Sequence, residues 1–150
     1  MADEMTFEIT SVESNIKEVM KAVNEKMHLA IGLMAEEVEK NAKKDCPVDT
    51  GLLRNSLTYA YAGFLPVDIS YSDDANEQHG SYTTATPSAA DPEADDEHVA
   101  YVGTNVEYAP YVEFGSYHHE VGKSHFLRDA GQNHIPRLQS IAATTLKKLD

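Results

Sequence analysis

Nine apolar side chains, Val12, Ile16, Val19, Met20, Val23, Met27, Ile31, Met34 and Val38, recur at steps of three and four, so a helix would carry them all on one face. Lys and Glu fill the opposite face, and Glu36–Lys40 and Glu39–Lys43 stand at the i,i+4 spacing that supports a helix. The pattern predicts a single helix over 11–44, with Ser11 or Ser14 available to cap its start. Pro47 closes it, because the residue before a proline is pushed out of helical geometry. At ~1.5 Å per residue such a helix runs to roughly 50 Å, longer than a small domain can cover. A stripe of that length needs more partner surface than one small sheet offers, so part of it is expected to lie against a neighbouring subunit. The 150 residues make one domain with one core, spanning 1–150.

Beyond Pro47 the elements shorten. Asp49-Thr50-Gly51 reads as a turn, and Asp49 or Thr50 can cap a short helix through Leu52, Leu53 and Leu57. Residues 58–71, rich in Tyr, Phe, Val and Ile, read as strand material interrupted at Gly63 and Pro66. Residues 72–97 hold Ser, Thr, Ala, Pro and acids with almost no large aliphatics, the composition of a long acidic loop. A second strand is expected over 98–104; residues 106–114 leave the element type open, and Tyr108, Tyr111, Val112 and Gly115 fit a short helix with Gly115 as its C-cap if Pro110 sits in its first turn. Residues 117–123 read as a loop or hairpin tip, and 125–149 return to helix, restarted or kinked at Pro136. The fold class is α+β: a long N-terminal amphipathic helix, a small antiparallel sheet and a C-terminal helix.

Charge narrows the function. The formal net charge is −13, and no Lys or Arg occurs between Arg54 and Lys123. Phosphate binding depends on cations that release condensed counterions, so ordinary nucleic-acid binding is disfavoured. The acids of this interval either keep a solvated loop soluble or form a surface that lets DNA pass without sticking. No apolar run approaches the ~20 residues of a membrane span. The first residues, Met1-Ala2-Asp3-Glu4-Met5, lack the basic and apolar regions of a secretory signal. Cys46 is the only cysteine, which excludes an intrachain disulfide and a thiol-rich metal site and fits assembly in a cytoplasm.

Three short stretches stand out. Pro47-Val48-Asp49-Thr50-Gly51-Leu52-Leu53-Arg54-Asn55-Ser56 follows the long helix. Tyr108-Ala109-Pro110-Tyr111-Val112-Glu113-Phe114-Gly115-Ser116 comes next, and Phe126-Leu127-Arg128-Asp129-Ala130 opens the last helical region. In this order the chain resembles the small head–tail joining family of long-tailed bacteriophages, also described as neck, tail-component or tail-completion proteins. The resemblance covers about residues 12–149, with the acidic loop as its least typical part. Two departures occur: Ser116 stands where the family has Thr, and His125 replaces the usual Pro before Phe-Leu.

The resemblance implies an α+β domain related to tail-terminator and tail-tube building blocks, assembled as a ring, with six copies favoured by analogy with terminator rings. It implies a structural virion protein, assembled in the host cytoplasm, that joins a DNA-filled head to its tail and forms part of the DNA channel. Its partners would be further copies of itself, adjoining neck, terminator or tail-tube proteins, and passing DNA held without specific binding. No enzymatic activity, cofactor, metal or membrane contact is expected. The residues expected to define the fold or the subunit interface are Asp49, Thr50, Gly51, Arg54, Tyr108, Tyr111, Glu113, Phe114, Gly115, Phe126, Leu127 and Arg128. Asp91, Glu93, Asp95, Asp96 and Glu97 are the candidates for the channel lining.

Some of these residues make physical sense without the family. Gly51 and Gly115 sit at expected sharp turns, where glycine tolerates positive φ. Glu113, between Tyr111 and Phe114, is expected to be shielded and to need a cationic partner, with Arg54 or Arg128 able to supply a bidentate one. Tyr111 and Phe114 are assigned either to the core or to contacts with a neighbouring subunit or ring. An alternative function is a small non-enzymatic adaptor that binds a partner helix through the N-terminal stripe.

Catalytic readings find little support in the spacing. His118-His119-Glu120 with His125 fits no HExxH pattern, and adjacent histidines project to different sides of an element. Six residues separate Gly115 from Gly122, where a phosphate loop needs four. Cys46 has no base beside it in sequence and suits a small buried position at a helix end. The paired acids of Asp95-Asp96-Glu97 lie in a polar loop that would not hold two carboxylates at a fixed separation.

Overall fold

A computed structural model describes residues 2–48, 51–62, 70–72, 81–83, 98–115 and 123–148. Its elements are α1 (Ala2–Asp45), α2 (Leu52–Ser56), β1 (Thr58–Tyr61), β2 (Ser70–Ser72), β3 (Ser81–Thr83), β4 (Ala100–Gly103), α3 (Ala109–Phe114), α4 (Phe126–Gln132) and α5 (Ile135–Leu146). The fold is mixed α+β and mostly helical.

Helix α1 is the spine. Its 44 residues correspond to ~66 Å. It packs most extensively on α5 and α4, and also touches β1, β4 and α2. It ends two residues before Pro47, where proline would block continuation. Of the expected helix pairs, Lys43 meets Glu39 at 2.7 Å, whereas Lys40 turns to Glu37 at 3.8 Å.

The face of α1 that goes deepest is made of small residues. Ala30, Ala35, Ala42 and Cys46 are buried, and Gly32 lies among them. The larger stripe flanks this seam: Val23, Met27, Ile31, Met34 and Val38 are half-buried. Small side chains let neighbouring elements approach the helix axis closely. At Gly32 the ring of Tyr61 sits so near that an added Cβ would lie 2.7 Å from Tyr61 Cζ. His28 meets the same ring at a centroid distance of 4.9 Å. Beyond the body the stripe is uncovered: Val12, Ile16, Val19 and Met20 are each more than half exposed. The expected excess of apolar stripe over available cover is therefore real.

Among the described residues the strands form two separate two-stranded antiparallel sheets, in place of the single small sheet expected. β1 pairs with β4 in the register Thr58↔Gly103 to Tyr61↔Ala100. β2 pairs with β3, Tyr71 opposite Tyr82. β3 falls inside the stretch expected to be loop throughout; its residues Ser81-Tyr82-Thr83 carry β-favouring Tyr and Thr within a polar surround, a signal too short to stand out. The C-terminal region is two helices, because α4 ends at Gln132 with Asn133 as its C-cap and α5 restarts with Pro136 in its first turn.

One core joins these parts: Ala42, Cys46, Leu53, Leu57, Val106, Ala109, Phe126 and Ala130, with Val38, Tyr108, Val112 and Leu127 packed around it. Polar ties complete it. Ser56 Oγ lies 2.6 Å from Thr104 Oγ1 and donates to the Leu53 carbonyl at 2.8 Å. Thr104 Oγ1 also accepts the Val106 N–H at 3.2 Å, so the end of α2 is fastened to the segment after β4.

Candidate functional site

Helix α4 begins without a local side-chain cap. Its N-cap, His125, has φ +59°, a left-handed conformation rare for a residue with a Cβ, and it makes no capping hydrogen bond. The first N–H groups of any helix lack intrahelical acceptors and must be satisfied from elsewhere. Here the acceptor is the side chain of Glu113, in α3. Its Oε2 takes the Leu127 N–H and its Oε1 the Arg128 N–H, both at 3.0 Å. The Glu113 backbone carbonyl accepts the His125 N–H at 2.9 Å. One buried residue thus closes the start of α4, and its negative charge sits at the positive end of the helix dipole.

This corrects the expectation of an arginine partner. Among the described residues no arginine pairs with Glu113: the Arg128 guanidinium grips Asp129 Oδ1 through Nε at 3.1 Å and Nη2 at 2.9 Å, and Arg54 is exposed. Backbone amides discharge the need that sequence reasoning assigned to a cation. The available signal was the missing Ser, Thr, Asp or Asn at position 125, which leaves the N-terminus of a helix in want of an acceptor.

The other motif residues divide by environment. Gly51 has φ +86° and precedes α2, the positive-φ turn expected of it. Gly115 does follow α3, but at φ −72° and ψ 153° it is extended backbone that needs no glycine. Asp49 and Thr50 lie outside the described residues, as do Asp91, Glu93, Asp95, Asp96, Glu97 and the histidines 118 and 119. Phe126 is buried, and Leu127 and Tyr108 are half-buried against the core. Tyr111 and Phe114 point outward, 79% and 74% exposed, so the core assignment for them fails. In the same short helix Ala109 and Glu113 are the buried residues.

Cys46 sits at the centre of the same region. Burial pushes its thiol up to about 12, the nearby Arg54 charge opposing and the Glu113 charge reinforcing the shift. Its Sγ lies 3.4 Å from the Pro47 carbonyl, to which the thiol donates. A thiol so held is a packing group with little thiolate at neutral pH. Close by, Asp45 at the C-terminus of α1 takes Lys123 twice, the ammonium at 2.9 Å on Oδ2 and the backbone N–H at 3.0 Å on the carbonyl.

Beside this knot, β4, α3 and the start of α4 enclose an open groove of about 660 Å³. Val102, Val106, Ala109, Phe114, Phe126 and Leu127 line it, with Glu107 and Arg128 at its polar positions. The lining is mostly apolar, with Glu113 among its polar residues. Among the described residues no group of three His, Cys, Asp or Glu is placed to hold a metal ion. No helix among them is long and apolar enough to cross a membrane. The groove is braced by the Glu113 carboxylate, both of whose oxygens accept backbone N–H groups.

The family described as "Bacteriophage HK97-gp10, putative tail-component" matches residues 10–115, and the chain belongs to that family. It is thus a structural bacteriophage protein of the virion. Comparisons with curated proteins and with solved structures gave no match.

Proposed function

We propose that this chain works at the neck of a tailed phage, where it joins the DNA-filled head to the tail and contributes to the ring around the DNA channel. The observation that carries the reading is the pair of uncovered apolar surfaces, the Val12–Met20 stripe of α1 and the Tyr111/Phe114 side of α3, on a member of a tail-component family. Soluble monomers rarely leave contiguous apolar patches open, whereas assembly components hold them for neighbours. The partners are further copies of the chain, six by preference, and the adjoining neck, terminator or tail-tube proteins. The protein acts by shape, without turnover or cofactor.

The acids Asp91 to Glu97 are assigned to the channel, where like charge would keep DNA phosphates from lodging during ejection. Particles lacking the protein test the joining role. Electron micrographs are expected to show complete heads and complete tails lying apart, and infectious joined virions formed without it would sink the proposal. The channel assignment is tested separately: those acids found on the outer surface of the assembled ring would remove it and leave the joining role intact.

A further inference from the structure

We draw no further inference here: the strongest candidate, the mostly apolar groove between β4, α3 and the start of α4, carries nothing because nothing in the structure shows what covers it.

Discussion

The Oε1 atom of Glu113 accepts the backbone N–H of Arg128 at 3.0 Å, while the Arg128 guanidinium turns away to Asp129. The acid thereby serves the helix and leaves the arginine fork at the surface. Replacing Glu113 by Ala strands the N–H groups of Leu127 and Arg128, at a cost of about 2–4 kcal/mol. Gln keeps one acceptor oxygen and should cost about half as much. Urea midpoints compare the three proteins; an Ala variant as stable as the wild type would show that the two bonds contribute nothing.

His125 allows a sharper test, because its φ of +59° is closed to proline and its N–H bonds to the Glu113 carbonyl at 2.9 Å. His125→Pro is therefore expected to destabilise this chain by about 3 kcal/mol or more. His125→Gly removes the Cβ strain and should gain up to about 1 kcal/mol. Thermal unfolding of both variants reads the sign directly. A neutral or stabilising proline would contradict the left-handed geometry.

Two glycines in helices should answer oppositely to alanine. At Gly131 an added Cβ meets nothing within 4 Å, so Gly131→Ala should stabilise by about 0.5–1 kcal/mol through helix propensity. At Gly32 the same Cβ would stand 2.7 Å from the Tyr61 ring, and the gain is expected to be cancelled or reversed as that ring is displaced. Equal stabilisation at both sites would mean that Tyr61 does not lie on α1.

The thiol of Cys46 gives a pH dependence. Its pKa is raised from 9.0 to about 12, mainly by burial, so folding favours the protonated form. The associated stability is complete below pH 9 and declines as the pH climbs from 9 toward 12. Lys123, raised from 10.5 chiefly by its hydrogen bond to Asp45, adds a loss of the same sign at higher pH, weakened by solvent screening. Alkylation rates measured at pH 8, folded and in urea, should differ by orders of magnitude. Similar rates would mean that the thiol is accessible.

Tyr111 separates assembly from folding. At 79% exposure, Tyr111→Ser should leave stability within about 0.5 kcal/mol. Under the neck proposal it should nonetheless lower the yield of joined particles in a complementation assay. Unchanged yield would remove this ring from the assembly surface.

Much of the architecture was legible in the residues. The steps from Val12 to Val38 gave the body of α1, which starts at Ala2 and so runs through the expected caps Ser11 and Ser14; Pro47 gave its end, Gly51 the positive-φ turn and Pro136 the start of the final helix. The expectation of an apolar stripe too long for its own domain also held. Periodicity could not reveal which flank of that stripe goes deepest: the tight seam of Ala30, Gly32, Ala35 and Ala42 wins because small side chains permit close approach. The role of Glu113 was hidden for a different reason. Its acceptors' donors lie 14 and 15 residues away, beyond any local capping pattern. Hydrophobicity left Tyr111 and Phe114 open between the core and contacts with a neighbour, and their exposure of 79% and 74% decides against the core.

Glu113 and Asp45 also fix both margins of the stretch 116–122. On one side Gly115 leaves a helix held by the Glu113 clasp; on the other Lys123 is moored to Asp45 and His125 to Glu113. Amide exchange at Lys123 and His125 should accordingly be as slow as within the helices they are tied to, because each N–H is held by a backbone carbonyl, at 3.0 and 2.9 Å.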